Sequence, residues 1–437
     1  MADTDAELWG SKNKTNRTAA AEQMSRTFFA RLRADRPASL ILAINHPFDA
    51  SEPTTDSTQT ILQYVEEYCR YLFSDEQTAG AQDPPETIER LVWSKITKKV
   101  SAQDSQRLDE PLTAQELAAA LVDMPAAKAP GLDGMPVEHL KLCFELLGPF
   151  LLQGFNEVWT AQEALPPDFA LATVILIHKK GPLSEVRNWR PISLLLAPYK
   201  LLAKVMANRL ATLLPQIVDE MQTGFISGRH IITSLLLARQ VLWQAQRSHP
   251  PLAFVMLDFE KAYDRVSWPF LWQALLRRGL GCQFVNMVIT LFSAAESRLL
   301  INGFLTQRIK VTRSVRQGCP LSPALYALFI EHLHDMLHAN RDLIGLPLPH
   351  GKQLKSSAFA DDTGAITALT PTSVRALTTQ IGRFERYADA KLNWHKSVAL
   401  VPDMNAADLF NDMRVQPITG GAVYLGIVMP DALSNGI

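Results

Sequence analysis

Cysteine is scarce in this sequence of 437 residues, and its four cysteines lie far apart. Cys69, Cys143, Cys282 and Cys319 form no CxxC pair and show no Cys/His spacing. This pattern argues against a zinc knuckle and a disulfide framework, and it favours a reducing compartment. The formal net charge of −1 excludes a strongly basic, histone-like binder of polyanions, although a local basic cleft is compatible with it.

A signal peptide and a membrane-spanning segment are also lacking. Residues 1–15 are polar and contain no apolar core. A membrane helix needs about 18–20 apolar residues in a row, and Lys200 and Lys204 interrupt the best candidate, Ile192–Met206. Because 47% of the residues are hydrophobic, the chain is expected to fold. We expect an intracellular protein, in the nucleus or the cytoplasm, that is not secreted and has no membrane partner.

Strands, helices and hairpins are mixed along the chain, which indicates an α+β fold with an antiparallel sheet and helices on one face. Apolar patterns predict strands at Ala172–His178, Leu252–Asp258, Ser297–Ile301, Leu305–Val311, Lys355–Ala360, Thr363–Thr367, Val398–Val401 and Val423–Val428. Helical spacing predicts helices at Ile61–Phe73, Lys200–Leu214, Ile232–Gln244, Pro320–His338 and Ser373–Ala390. Thr113 and Glu116 are predicted to cap a further helix, and Pro84–Pro85 and Ser101–Glu110 to be linkers.

Three carboxylates are predicted at the ends of two strands. Asp258 follows an apolar strand, and Asp361 and Asp362 lie at the turn of a predicted hairpin. If these strands are neighbours in one sheet, the carboxylates converge and raise each other's pKa. Mg²⁺ would relieve that repulsion, and two such ions about 3.5–4 Å apart can serve an in-line phosphoryl transfer. Taken singly, each site also fits an ordinary turn or a helix cap.

A basic segment, His178–Arg190, is a candidate clamp for a triphosphate. Lys179, Lys180 and Arg190 lie around a Gly-Pro turn, and arginine binds phosphate through two parallel hydrogen bonds. A solvated basic loop is the plain alternative.

Two further segments are less specific. In Arg316–Pro323, the amide of Gln317 can donate and accept, and Gly318 permits a close backbone approach, but an ordinary entry into a helix fits equally well. His332, His334 and His338 lie on one predicted helix without an HExxH motif, which predicts a surface or interface role and not a zinc site.

Nine segments, in this order along the chain, resemble the reverse transcriptase of non-LTR retrotransposons. They are KAPGLDGMP (Lys128–Pro136), HKKGPLSEVRNWRPISLL (His178–Leu195), YKLLAKVMANRL (Tyr199–Leu210), QTGFISGRHI (Gln222–Ile231), LDFEKAYDRVSW (Leu257–Trp268), RQGCPLSPALYALFIE (Arg316–Glu331), FADDT (Phe359–Thr363), LNWHKS (Leu392–Ser397) and YLGI (Tyr424–Ile427). FFARLR (Phe28–Arg33) and YCRYLF (Tyr68–Phe73) resemble the amino-terminal extension of this family.

The resemblance implies a right-hand polymerase fold with fingers and palm. Residues 1–110 would form a helical amino-terminal extension, residues 111–251 a fingers-type region with a basic hairpin, and residues 252–437 the palm. The chain ends about ten residues after YLGI, so we expect a full helical thumb to be missing, which puts processive synthesis in question. The implied activity is RNA-directed DNA synthesis from deoxynucleoside triphosphates on a DNA primer and an RNA template. The implied cofactor is Mg²⁺, with Mn²⁺ as a possible substitute.

The resemblance also implies roles for individual residues. Asp258 and Asp361 would be the two metal-binding catalytic carboxylates, and Asp362 the third, closer to the primer end. Tyr263 would lie under the sugar, where its ring would clash with a 2′-hydroxyl. The other implied contacts are the triphosphate for Lys179 and Arg190, the incoming nucleotide and template for Gln317 and Gly318, the leaving pyrophosphate for Lys396, and the primer strand for Tyr424, Leu425 and Gly426.

Two other functions are compatible with the same residues. The chain could be a truncated, catalytically inactive relic that only binds RNA or DNA, with an affinity that falls as salt rises. A nuclease built on the same carboxylates is a weaker alternative, because it has no obvious use for the basic segment or for the aromatic ring at position 263.

Overall fold

The structure is a computed structural model, and it describes residues 40–74, 83–161, 163–410, 412–420 and 422–429. FFARLR (Phe28–Arg33) lies outside these residues. The helices are α1 (Thr58–Phe73), α2 (Pro85–Leu91), α3 (Ala102–Asp109), α4 (Ala114–Asp123), α5 (Val137–Leu142), α6 (Phe144–Ala161), α7 (Ala197–Ala211), α8 (Leu214–Ile217), α9 (Ile231–Ala245), α10 (Trp268–Arg277), α11 (Cys282–Ser293), α12 (Ser322–Ala339) and α13 (Pro371–Ala388).

The strands follow the same chain order. They are β1 (Leu171–His178), β2 (Trp189–Leu194), β3 (Leu252–Leu257), β4 (Glu296–Ile301), β5 (Phe304–Leu305), β6 (Ile309–Lys310), β7 (Leu346–Pro347), β8 (Gln353–Leu354), β9 (Ser356–Phe359), β10 (Asp362–Ala368), β11 (Val398–Val401), β12 (Arg414–Pro417), β13 (Ala422–Tyr424) and β14 (Ile427–Met429).

One five-stranded sheet has the order β12-β11-β3-β10-β9, and we call it the palm sheet. Its neighbouring strands are antiparallel except β11 and β12. Successive side chains of a strand point to opposite faces. Ala253, Val255 and Leu257 accordingly join the main core with residues of α10, α12 and α13. Leu252 and Phe254 face the other way and pack with residues of α9 and of the β13–β14 hairpin.

A second sheet is formed by β1, β2, β4, β5 and β6. β1 pairs antiparallel with β2 and parallel with β4. Asn302-Gly303, a strong hairpin signal, joins β4 to β5, and both residues have positive φ as such a turn requires. β1 lies before residue 252 and β4 lies after it. Their pairing therefore connects the region that the resemblance assigns to the fingers with the region that it assigns to the palm.

Local sequence signals predict most of the elements but not the linkers. α1 is confirmed, and the capping box of α4 is present: the Thr113 hydroxyl accepts from the Glu116 N–H at 3.2 Å, and Glu116 Oε2 accepts from the Thr113 N–H at 2.9 Å. The predicted linker Ser101–Glu110 is wrong, because Ser101 caps α3 by accepting from the Asp104 N–H. Val423–Val428 forms a hairpin of two strands around a turn at 425–426.

The predicted surface or interface role is wrong for His332 and His334, whereas His338 is half-buried. His332 and His334 are each 1% exposed, because α12 is enclosed by α7, α10, α13 and β9. His334 Nδ1 lies 2.7 Å from the hydroxyl of Ser356 on β9. Within the ranges described, no helix has the length and apolarity to cross a membrane.

Candidate active site

The palm sheet brings the predicted carboxylates together. Thr363 on β10 pairs with Leu257 on β3, so one step further along this antiparallel ladder Asp362 lies opposite Asp258. Asp361 belongs to the two-residue turn that joins β9 to β10, in which Ala360 has φ +60°. Asp258 and Asp362 are exposed and Asp361 is half-buried, so all three side chains are available at one edge of the sheet.

The turn that carries Asp361 rests on a distant segment of the chain. Met221 and Thr223 exchange backbone hydrogen bonds with Ala358 of β9. A Cβ atom added to Gly224 would lie 2.1 Å from the Ala360 nitrogen, so only glycine permits this approach. The side-chain oxygen of Gln222, which is fully buried, accepts from the Gly224 N–H at 3.0 Å and from the Ala360 N–H at 3.4 Å.

The charges around Asp362 show the convergence directly. Desolvation and then the negative charge of Asp361 raise the pKa of Asp362, and Asp258 adds to this effect. Lys179 and Arg190 act in the opposite direction. The cluster therefore contains three mutually repelling carboxylates with two cations within electrostatic reach.

Lys179 and Arg190 come from the hairpin of β1 and β2. Lys179 follows β1, and Arg190 on β2 pairs with Ile177. Burial and the neighbouring Arg190 lower the pKa of Lys179, whereas Asp361 and Asp258 raise it. Both cationic side chains are exposed, and both lie within electrostatic reach of Asp362.

Three contacts hold β2 against the palm beside this cluster. The Lys261 ammonium donates to the Trp189 carbonyl at 2.6 Å, and the Ser193 N–H donates to the Gln317 carbonyl at 2.7 Å. Gly318 has φ +116°, and a Cβ atom there would lie 2.4 Å from the Ser193 oxygen. The RQG segment therefore requires glycine because the backbone of β2 passes directly over it.

Tyr263 lies beside the carboxylates with its ring held flat. It is half-buried and stacks on Tyr326 of α12, with ring centroids 4.6 Å apart and planes 11° apart. Burial, and then the charge of Asp361, raise the pKa of Tyr263, so its phenol is neutral at physiological pH and close to the turn that carries Asp361.

The amide of Gln317 lies near a carboxylate that the sequence does not single out. Gln317 Nε2 donates to Asp264 over 3.3 and 3.4 Å. Asp264 is 2% exposed. Burial raises the pKa of Asp264 to about 7, against the opposing charge of Lys261 and the hydrogen bond from Gln317.

Lys396 and the segment Tyr424–Gly426 complete the set of predicted residues. Lys396 is exposed in a turn that begins at Asn393, whose N–H donates to the Asp258 carbonyl at 2.8 Å. Tyr424 is buried edge-on against Phe254. Burial, and then the charge of Asp362, raise the pKa of Tyr424, so this hairpin also approaches the cluster.

The donor set fits a divalent metal ion that also binds substrate. Across the described ranges, no group of three or more His, Cys, Asp and Glu side chains is arranged to hold a metal by itself. Mg²⁺ is usually bound through one or two carboxylates together with substrate phosphates, and not in a cage made by protein alone. Asp258 and Asp361 offer carboxylate oxygens that would suit such an ion. Burial, and then the negative charge of Asp361, raise the pKa of Asp362, and a cation would neutralise that charge.

Sequence reasoning missed the residues that hold the cluster in place. Ser397 accepts from the Asp258 N–H and Asp264 accepts from the Gln317 amide, whereas Gln222 and Gly224 contact Ala360 in the turn that carries Asp361. Gln222, Gly224 and Ser397 lie in the quoted segments QTGFISGRHI and LNWHKS, but nothing in those letters shows which backbone they touch.

Comparisons with known proteins identify the family of the chain. Residues 177–428 match the family described as "Reverse transcriptase (RNA-dependent DNA polymerase)". The "Transposon TX1 uncharacterized 149 kDa protein" of Xenopus laevis is 37% identical over 331 residues, which cover 74% of this chain and 25% of that protein. The "Retrovirus-related Pol polyprotein from type-1 retrotransposable element R2" of Popillia japonica is 26% identical over 276 residues, 62% of this chain and 37% of that protein.

The chain thus spans between a quarter and two fifths of the length of these two relatives. A solved structure of telomerase from Candida tropicalis, in complex with a fragment of telomeric RNA, covers 63% of this chain and 47% of the telomerase chain, with 13% sequence identity and a TM-score of 0.39. The family match covers more than half of the chain. The chain therefore belongs to the reverse transcriptase family, in the group of non-LTR retrotransposons that its motifs predict.

Proposed function

We propose that this chain is an RNA-directed DNA polymerase, which adds deoxynucleotides to a DNA primer along an RNA template. The observation that carries the proposal is the register of β3 and β10, which puts Asp258 opposite Asp362 and next to Asp361. Lys179 and Arg190 of the second sheet lie within electrostatic reach of the same carboxylates. A polymerase needs this combination of metal-binding carboxylates and phosphate-binding cations in one cleft.

Asp258 and Asp361 would hold Mg²⁺, or Mn²⁺ in its place, with Asp362 beside them toward the primer end. When bound, two such ions activate the attacking hydroxyl and stabilise the leaving oxygen of an in-line displacement. Asp258 and Asp361 would hold their oxygen atoms in fixed positions, because each adjoins the end of a paired strand. This fixed geometry would supply the alignment on which most of the rate depends.

The remaining residues would bind and select the nucleotide. Lys179 and Arg190 would contact the triphosphate, and Gln317 and Gly318 would line the position of the incoming base and template. Tyr263, held flat on Tyr326, would exclude a 2′-hydroxyl.

Two exposed turns would contact the other parts of the substrate. Lys396 would neutralise the departing pyrophosphate. The backbone of Tyr424, Leu425 and Gly426, at a turn in which residues 425 and 426 have positive φ, would hold the primer strand.

Primer extension tests this proposal. The chain is given an RNA template annealed to a labelled DNA primer, deoxynucleotides and Mg²⁺, with Asp361→Asn in parallel. We expect extension by the unmodified chain and a loss on the order of a thousandfold in Asp361→Asn, because that change removes a metal ligand worth several kcal/mol in the transition state. Asp342→Asn, an exposed aspartate after α12, is the matched control and should extend normally.

The other outcomes separate the alternatives. Equal extension by Asp361→Asn would refute the assignment of that carboxylate. No extension by either chain, with salt-sensitive template binding, would favour a non-catalytic nucleic-acid-binding module. Degradation of the labelled substrate without added nucleotides would favour a nuclease.

A further inference from the structure

The pairing between β3 and the segment that precedes β11 changes register beside Asp258. Val398 pairs with Met256 within the palm sheet, but Leu392 pairs with Phe259 beyond the end of β3. The interval from Met256 to Phe259 covers three residue steps, whereas the interval from Leu392 to Val398 that faces it covers six. The three additional residues, Trp394–Lys396, form a turn. His395 and Lys396 of this turn are exposed to solvent beside the carboxylates.

A register break leaves backbone groups without their usual partners, and Asp258 lies at this break. Its carbonyl still accepts from the Asn393 N–H at 2.8 Å. Its own N–H is satisfied by a side chain instead of by a strand: it donates to the hydroxyl of Ser397 at 3.1 Å. The same hydroxyl donates to the Asn393 carbonyl at 2.9 Å.

Ser397 thus bridges the two chain segments that meet at the break. It is fully buried, so water cannot easily replace its hydroxyl. An unsatisfied N–H at this depth is destabilising, and the backbone at Asp258 would shift to recover a partner. Its carboxylate is exposed, so the backbone is what fixes its direction.

We propose that Ser397 is a positioning residue for the reaction. Its hydroxyl holds the backbone of Asp258 and, through Asn393, the turn that presents Lys396, so it keeps the metal-binding carboxylate and this lysine in one geometry. This inference rests on the proposed polymerase function. Ser397 is not among the residues assigned to the metal, the nucleotide or the primer. It acts through the backbone of Asp258 and not by contact with these substrates.

The test compares four variants of the full chain. Ser397→Ala removes the hydroxyl, Ser397→Cys keeps approximately its volume with a weak hydrogen-bonding group, and Ser397→Thr keeps the hydroxyl. Ser373→Ala is the matched control: Ser373 is also fully buried, and its hydroxyl also accepts from a backbone N–H, that of Ile344 at 2.9 Å. Thermal melting of each variant verifies folding, and Ser397→Cys carries the comparison if Ser397→Ala does not fold.

Two measurements do not depend on activity. Amide hydrogen exchange in peptides that contain Asp258 should accelerate in Ser397→Ala and Ser397→Cys, but not in Ser373→Ala. Binding of Mn²⁺ alone, followed by the loss of the free-ion electron paramagnetic resonance signal, should weaken by about tenfold in the same two variants, which is the usual size of such indirect effects on a metal site. Ser397→Thr should restore both to within about threefold of the unmodified chain.

Primer extension is the third measurement. The kcat of Ser397→Ala should fall about tenfold with little change in the KM for deoxynucleotides, and Ser397→Thr should recover. Unchanged exchange and unchanged Mn²⁺ binding in Ser397→Ala would overturn the proposal. Mn²⁺ binding that depends on Ser397 in a chain that does not extend primers would refute the polymerase function and leave the positioning role supported.

Discussion

Asp258 follows β3 and Asp361 precedes the neighbouring strand β10, but their backbones are held in different ways. Asp258 is held by polar contacts at a register break, with one hydrogen bond from Asn393 and one to the hydroxyl of Ser397. Asp361 lies on a tight turn whose Ala360 N–H donates to Gln222 and which also depends on close packing, because Gly224 lies against the backbone of Ala360 with no room for a Cβ atom.

The difference predicts how each support fails. A polar support can be weakened by removing one hydroxyl and restored by a residue that carries another. A steric support fails when volume is added, and no side chain can restore it. Substitutions at position 397 should therefore reduce primer extension to different degrees, whereas every substitution of Gly224 should reduce it severely.

Gly224→Ala tests the steric support and has the largest expected effect among substitutions of the supporting residues. The added Cβ atom would lie 2.1 Å from the Ala360 nitrogen and 2.9 Å from its Cα atom, so the turn that carries Asp361 must move. A misplacement of about 1 Å at a reacting group can cost about 100-fold in rate, and we expect a fall of this size in kcat for primer extension.

Gly382→Ala is the control for this substitution. Gly382 lies on α13 with no atom within 4 Å of the added Cβ, and alanine is favoured over glycine within a helix. This variant should extend primers normally and melt at the same temperature or slightly higher. Normal extension by Gly224→Ala would show that the turn tolerates displacement, and the contrast with Ser397 would then disappear.

The two supports also differ in how far the sequence could predict them. β3, β9 and β10 follow from apolar patterns, and Asp258 and Asp361 follow from their places at strand ends, because this information is local. The bond from Asp258 to Ser397 spans 139 residues and depends on a register shift, which no periodicity records. The burial of His332 and His334 escapes local prediction for the same reason, because a polar residue on a helix indicates exposure unless the surrounding elements are known.

The ring of Tyr263, which lies beside the carboxylates, is held in a third way, by stacking on the ring of Tyr326. Tyr263→Ala removes the ring that would meet a 2′-hydroxyl, and ribonucleotides should then be accepted. We expect discrimination between deoxynucleotides and ribonucleotides, measured as the ratio of kcat/KM values, to fall by about tenfold or more.

Tyr263→Phe keeps the ring and its stacking on Tyr326 and provides the control. It should retain the discrimination of the unmodified chain, because the clash is steric and does not need the phenol hydroxyl. If Tyr263→Ala still rejected ribonucleotides, selection of the sugar would have to come from another part of the cleft.

The smallest expected effect concerns Asp264, which lies six residues after Asp258 and is buried instead of exposed. Its pKa is raised to about 7 in the folded chain, against about 3.9 when it is unfolded. Between these values the folded state holds a proton that the unfolded state releases, so stability falls as pH rises from about 4 to 7. Asp264→Asn removes this dependence while keeping a side-chain oxygen for the Gln317 amide, and it should raise the melting temperature at pH 8 by about 3 °C.

Asp168→Asn provides a control of opposite sign. Asp168 is exposed, and its hydrogen bond and ion pair with Arg308 lower its pKa, so the stability that it contributes is present at neutral pH and lost as pH falls through the acidic range. Melting curves from pH 4 to pH 8 should therefore diverge from the unmodified chain at high pH for both variants, upward for Asp264→Asn and slightly downward for Asp168→Asn. A lower melting temperature of Asp264→Asn at pH 8 would mean that Lys261 stabilises the charged carboxylate in the folded chain, which contradicts a raised pKa of Asp264.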